Sequence, residues 1–187
     1  PVAFSPVDPH VLYFANNYLW KTTDGGINWK KISDDPTRKT WELPKTIGKY
    51  TDPTLATQRG VIYSIAPSYT DVNRIWIGTD DGIIQTTADG GLTWKDVTPK
   101  DLGPWMKVFN MDAGHFDPLT AYAAVNTLRL DDMRPHLFRT HDGGKTWTEI
   151  NTGLENGGPT SSIREDPKRK GLLYAATERR VYVSFDD

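Results

Sequence analysis

Three groups of side chains have the types and spacing that acid–base or ligand chemistry requires. Residues 126–135 read Asn-Thr-Leu-Arg-Leu-Asp-Asp-Met-Arg-Pro and set Asp131 and Asp132 beside Arg129 and Arg134. Adjacent carboxylates and guanidinium groups can bind sugar hydroxyls or a peptide, and a carboxyl whose pKa burial raised could donate a proton. The plainer reading is a loop that salt-bridges to itself. Asp80-Asp81-Gly82 reads as a hairpin turn that could add to the same ligand surface, with too few oxygens for calcium. His115 and Asp117, two apart, can face one way on a strand as an acid and base pair; alternatively His115 makes a local hydrogen bond and Asp117 belongs to an Asp-Pro turn. Trp41 and Trp105 lie near loops and are the candidates for stacking on a ligand ring, whereas alternation assigns Trp20 and Trp76 to cores. His10, His136 and His141 show no zinc spacing and there is no cysteine, so neither a metal nor a cofactor is expected.

A repeat positions these groups. Thr22-x-Asp24-x-Gly26-x-Asn28-Trp29 recurs as Thr87-x-Asp89-x-Gly91-x-Thr93-Trp94 and Thr140-x-Asp142-x-Gly144-x-Thr146-Trp147, and Ser184-x-Asp186 opens a fourth copy. Each copy follows a run of short apolar segments. The expected strands lie at 2–5, 11–15, 18–22 and 29–32, then 61–66, 74–78, 83–87 and 93–97, then 107–111, 121–125, 137–140 and 146–150. A last set lies at 161–164, 172–176 and 181–185. Asp8-Pro9, Asp117-Pro118 and Asp166-Pro167 fall between first and second strands, where a proline that donates no ladder bond is tolerated. The paired glycines after each repeat aspartate permit the left-handed conformations of a tight hairpin.

The expected architecture is all-β: three complete four-stranded propeller blades and a partial fourth, with blade one at 1–32, a long connection at 33–60, and blade two at 61–98. Blade three spans 106–151 and partial blade four 160–187. Such blades bury their faces only against neighbours around an axis, so the polypeptide is expected to continue and to close a ring of six to eight blades. The remaining blades, or a companion chain, are thus the expected partners. Seven Trp, eight Tyr, six Phe, 16 Gly and 13 Pro in 187 residues suit short strands and tight turns. With 22 Lys and Arg against 24 Asp and Glu, no field draws the chain to nucleic acid or an anionic membrane. No apolar run is long enough for membrane insertion.

The three cores resemble Asp boxes, or BNR repeats, of sialidases, xyloglucanases, sortilin receptors and a photosystem assembly factor. The run from Trp76-Ile77-Gly78-Thr79-Asp80-Asp81-Gly82 through Ala121-Tyr122-Ala123-Ala124 and Glu165-Asp166-Pro167 to Val181-Tyr182-Val183-Ser184-Phe185-Asp186-Asp187 is similar to large secreted bacterial propeller proteins labelled as glycosyl hydrolases or sortilin-like. That resemblance implies a secreted or periplasmic location, with any signal peptide upstream of Pro1. It also implies that Thr22, Asp24, Gly26, Trp29, Thr87, Asp89, Gly91, Trp94, Thr140, Asp142, Gly144, Trp147, Ser184 and Asp186 are structural.

Antiparallel geometry separates those turns from the connections at 33–60 and 126–135, which should emerge together on the opposite face. That face, with Trp41, Asp80, Asp81, Trp105, Arg129 and Arg134, is the expected ligand surface. The leading expectation for its function is a noncatalytic scaffold or recognition surface for a protein or glycan. The alternative is a polysaccharide-cleaving glycoside hydrolase, in which Asp131 or Asp132 pairs with Asp80, Asp81 or a carboxylate elsewhere, about 5 to 10 Å away across a cleft. A segment that only spaces domains or assembles subunits is a third reading. Sialidase chemistry is disfavoured, because no arginine cluster with a nucleophilic tyrosine is visible.

Overall fold

A computed structural model describes residues 1–39 and 60–187. Among them are four antiparallel sheets, each an up-and-down meander in sequence order. The first holds β1 (Val2–Phe4), β2 (Leu12–Ala15), β3 (Leu19–Thr22) and β4 (Lys30–Lys31). The second holds β5 (Ile62–Pro67), β6 (Ile75–Thr79), β7 (Ile84–Thr87) and β8 (Lys95–Asp96). The third holds β9 (Lys107–Ala113), β10 (Ala121–Asn126), β11 (His136–Thr140) and β12 (Thr148–Glu149), and the fourth β13 (Thr160–Glu165), β14 (Leu173–Thr177) and β15 (Val181–Ser184). The described sheets are not closed into a ring.

Burial explains the succession of sheets. β6 and the first five residues of β10 are buried on both faces, as befits middle strands sandwiched between neighbouring sheets. β5 instead alternates, with Ile62, Ser64 and Ala66 buried and Tyr63 turned outward. The first strands β1, β5, β9 and β13 pack side by side, as blades do around an axis. Ser64 Oγ accepts the Met111 amide at 2.8 Å, and Asn110 Oδ1 accepts the Ile163 amide at 3.1 Å, so side chains join these strands where no backbone ladder does.

The repeated turn is a closed hydrogen-bond circuit. Thr87 Oγ1 donates to Asp89 Oδ1 at 2.8 Å and accepts the Gly91 amide at 3.0 Å; Asp89 then accepts the Thr93 amide at 2.9 Å and the Thr93 hydroxyl. Thr22 and Asp24 repeat the pattern with Asn28, and Thr140 and Asp142 with Thr146. Ser184 Oγ donates to Asp186 Oδ1 at 3.1 Å. Hydrogen bonds from Asn28, Thr93 and Thr146 lead in lowering the three aspartates to a pKa of about 2.

Because those folded-state values lie below the ordinary 3.8, the stabilisation they carry is present above about pH 4 and is lost as pH falls through about 2. Thermal melts between pH 5 and 2 should therefore fall more steeply for the native protein than for an Asp24→Asn, Asp89→Asn, Asp142→Asn triple variant. Equal slopes would show that the turns do not couple to acid unfolding.

The outer strands begin one residue after each repeat tryptophan and are shorter than the expected 29–32, 93–97 and 146–150, and in the second and third repeats that tryptophan crosses to the preceding sheet. Trp94 Nε1 donates to the Ile32 carbonyl at 2.7 Å, and Trp147 Nε1 to the Val97 carbonyl at 2.7 Å. Trp29 has no earlier described sheet to reach and donates to the Gly26 carbonyl of its own turn. Trp94→Phe keeps an aromatic ring but deletes the donor together with the pyrrole part of the indole, so urea unfolding should show a loss of at least about 1 kcal/mol. An unchanged midpoint would mean that the bond is dispensable.

Candidate functional site

The loops after β6 and β10 meet on the side of the sheets opposite the repeated turns. Arg129, in the 3₁₀ turn Leu128–Leu130, reaches from the third sheet to the second and lies 3.5 Å from Asp80 Oδ2 and from the Asp80 carbonyl oxygen. Its guanidinium also stands 5.9 Å from the centre of the Trp105 ring. The described part of the 33–60 connection arrives at the same place: the Arg38 amide donates to Asp81 Oδ2 at 2.7 Å, and its side chain to the Asp81 and Gly82 carbonyls. Trp41, Glu42, Lys45 and Lys49 lie outside the described residues.

These contacts sort the candidate carboxylates. Asp80 Oδ1 accepts the Val61 amide at 2.8 Å, and its side chain keeps 14% of its surface open beside Arg129. Asp81 is 1% exposed, with Thr79 Oγ1 on one oxygen and the Arg38 amide on the other; burial raises its pKa. It ties the long connection to the β6–β7 turn, and it is closed to a ligand. Gly60 is needed there, because a Cβ would come within 2.3 Å of Asp81 Oδ2.

Asp131 is exposed, in the left-handed region at φ 59°, where it caps the 3₁₀ turn. Asp132 behaves in the opposite way to a proton donor. Arg134 Nε and Nη2 grip its two oxygens at 2.9 and 2.7 Å, the Arg134 amide adds a bond at 3.0 Å, and His136 Nε2 sits 3.3 Å away. The Arg134 hydrogen bonds lead in holding the Asp132 carboxyl far below the usual carboxylate range. The expectation that burial could make this pair an acid is thus corrected for Asp132, whose loop is internally salt-bridged through Arg134.

Two further expectations are corrected. Trp105 is not an open stacking platform: it is 7% exposed, its φ is +64°, and its amide donates to the Asp81 carbonyl, which folds the ring beneath Arg129. His115 does not pair with Asp117. Asp117 accepts the Leu119 amide at 2.9 Å within its own turn, while His115 stacks on Tyr69 at 3.6 Å and faces Asp112 at 3.5 Å. The His115 amide donates to Glu165 Oε2, so this residue joins the third and fourth sheets on the side of the repeated turns, away from Asp80.

Sequence reasoning did not find the aromatic group that the first strands of the second and third sheets bring together. Lys107 Nζ lies 3.6 Å above the centre of Tyr63 and 4.9 Å from that of Phe109, and the two rings are 5.4 Å apart. Tyr63, 36% exposed, lies on the strand that begins one residue after Val61, the residue that holds Asp80. No local pattern announces the pair, because Tyr63 and Phe109 each sit at a register shift in the ladder that their strand makes with the next one. Among the described residues, no group of three or more His, Cys, Asp or Glu side chains could hold a metal ion, and no helix is long and apolar enough to cross a membrane.

No protein-family profile matches the chain. Curated relatives do. An oligoxyloglucan-reducing end-specific xyloglucanase of Emericella nidulans is 26% identical over 132 residues, covering 66% of this chain and 16% of that enzyme. Xyloglucanase Xgh74A of Acetivibrio thermocellus is 32% identical over 115 residues, 55% of this chain and 13% of the enzyme. The chain therefore spans about a sixth or less of the length of these relatives. Among solved structures, an ancestral GH74 enzyme superposes on 100% of the chain with a TM-score of 0.72 at 15% identity, using 22% of its own length. That likeness concerns the fold.

These findings correct the family expectation. The relatives point to GH74 xyloglucanases, not to the Asp-box, BNR or sortilin-like families that the repeat resembles. The noncatalytic scaffold reading is overturned with it, in favour of the glycoside hydrolase alternative.

Proposed function

We propose that this chain is part of the propeller of a glycoside hydrolase that cleaves xyloglucan, and that Asp80 supplies one of its reacting carboxylates. The sequence likeness to two xyloglucanases carries the reading of reaction and substrate. Geometry selects Asp80. Of the four acidic candidates on this face, Asp81 is sealed and Asp132 is locked to Arg134, whereas Asp131 is exposed in its turn and no side chain fixes it among the described residues. Asp80 combines access with a fixed orientation, set by the Val61 amide and Arg129 from two different sheets.

Glycoside hydrolysis needs a second carboxyl across the scissile bond, about 5 to 10 Å away. In this reading the second group lies on a part of the enzyme beyond this chain, within a ring of six to eight blades to which blades 1–32, 61–98, 106–151 and 160–187 contribute. Tyr63 and Phe109 then offer an aromatic floor for a sugar ring near the axis, steadied by Lys107. A secreted or periplasmic location fits a polysaccharide substrate.

The test is release of reducing ends from xyloglucan and from an unbranched β-glucan by the whole enzyme. Hydrolysis of xyloglucan supports the proposal. Absence of cleavage on both substrates by a folded protein sinks it, and cleavage of the unbranched glucan alone would overturn the substrate assignment.

A further inference from the structure

The loop that carries Arg129 is closed by one pair of residues. Thr127 Oγ1 donates to the Asp132 carbonyl at 2.9 Å and the Asp132 amide donates to the Thr127 carbonyl at 3.4 Å, so the 3₁₀ turn Leu128–Leu130 is enclosed between them. Thr127 is buried. The other end of the enclosure depends on the Asp132 carboxylate, which meets Arg134 within the loop and His136 at the start of β11.

His136 is itself bracketed by two acids. Its Nδ1 lies 2.7 Å from Glu149 Oε1 on β12, and its Nε2 lies 3.3 Å from Asp132 Oδ2. A neutral imidazole has one N–H and one lone pair and can satisfy only one of these oxygens, whereas an imidazolium donates to both. The residue is 8% exposed, which leaves little water to separate a lone pair from a carboxylate oxygen. Charge gives the same answer. Among the described residues, the groups bonded to this set are Arg134 from the loop, Asn151 after β12, whose amide donates to Glu149 Oε1 at 2.7 Å, and Thr160 of β13, whose hydroxyl donates to the His136 carbonyl. One imidazolium and one guanidinium balance Asp132 and Glu149; a neutral ring leaves one negative charge uncompensated.

We propose that His136 is a proton-dependent latch: its imidazolium fastens Asp132 to β12, closes the loop at 127–132 and so sets Arg129 beside Asp80. Loss of the proton frees Asp132 rather than Glu149. The neutral ring keeps its hydrogen on the shorter bond, to the oxygen that Asn151 also fixes, and its other nitrogen then turns a lone pair toward Asp132. The closed loop therefore binds one proton more than the open one. Closure is complete at acid pH and is lost as pH rises through the titration of the imidazole, which for histidine side chains falls around neutrality. Asp132 stays ionised throughout that window, because the Arg134 hydrogen bonds hold its carboxyl far below the usual range. That the same proton governs hydrolysis rests on the reading of Asp80 as a reacting carboxylate; the latch itself does not.

The test follows the whole enzyme by mass spectrometry from roughly pH 5 to 9. Deuterium exchange at the ring C–H between the two nitrogens of His136 reads its titration, and millisecond amide exchange, corrected for the intrinsic effect of pH, reads residues 127–132. Amide exchange there is expected to speed up about fivefold, the weight of one hydrogen bond, with the same midpoint as the ring. Glu149→Gln, at a side chain that is 40% exposed, is expected to abolish that change. A glutamine amide can donate to Nδ1 while the neutral ring gives its Nε2 hydrogen to Asp132. A ring that titrates while exchange at 127–132 stays constant overturns the latch, and so does a rise in exchange that Glu149→Gln leaves unchanged. Xyloglucan hydrolysis across the same pH series is read separately. A working latch in an enzyme that cleaves nothing sinks the function proposed above and leaves the latch standing, whereas hydrolysis with a pH profile that Glu149→Gln does not move removes the latch from its regulation.

Discussion

Asp80→Asn in the whole enzyme is expected to lower kcat on xyloglucan by about 10²–10⁴-fold, the range over which a positioned acid or base contributes. Asparagine preserves the shape of the side chain and can still accept the Val61 amide at Oδ1. The loss should therefore appear in kcat and leave KM and the melting temperature near their original values. Arg129 would face a neutral amide instead of a carboxylate, and its long contact of 3.5 Å makes the structural penalty small. Steady-state kinetics beside a thermal melt separate the outcomes. A kcat within threefold of the original would remove Asp80 from the reaction and leave the hydrolase reading to carboxylates elsewhere. A collapse of the fold would instead show that Asp80 works mainly as the clamp on Val61.

Gly91→Ala should be among the most destabilising single-methyl changes in the described structure, with a cost of about 2–4 kcal/mol. Two penalties meet at this residue. Its φ of +96° is a conformation that an L side chain adopts only with strain. The added Cβ would also stand 2.7 Å from the Ile32 carbonyl oxygen and 2.8 Å from Ile32 Cβ, so backbone of the first sheet would have to move. That oxygen is the acceptor of Trp94, and the displacement would loosen the joint between the first and second sheets as well as the turn. Gly26→Ala is the internal comparison. It shares the strained φ, at +91°, but its Cβ would meet nothing nearer than 3.7 Å. Urea unfolding of the two variants should rank Gly91→Ala clearly below Gly26→Ala; equal losses would assign the whole effect to backbone strain and none to the close approach.

The repeat was legible because its hydrogen-bond circuit admits few residue types. Only a short hydroxyl at Thr22, Thr87 or Thr140 can both donate to a carboxylate two residues on and accept an amide four residues on. The order of strands followed from that periodicity, and so did the side of the sheets on which the longer loops emerge. The candidate site was read less well, for reasons of distance along the chain. Asp81 is sealed by the Arg38 amide, 43 residues away in sequence, and no local pattern announces such a partner. Trp105 follows a proline and a glycine and looks like an exposed loop residue, yet its positive φ and its amide bond to the Asp81 carbonyl turn the ring inward. Asp132 was the more readable error, since Arg134 two residues later was visible and its forked grip on both oxygens decides the charge state. Tyr63 and Phe109 were hidden because each is the extra residue at a register shift in its ladder, and strand alternation says neither where such a shift falls nor that two of them meet.

The grip of Trp94 on Ile32 and of Trp147 on Val97 always runs backward along the chain. During synthesis, each sheet therefore presents its acceptor before the donor that will occupy it has left the ribosome. Assembly acquires a direction: the nascent second and third sheets can each be secured to the one already made.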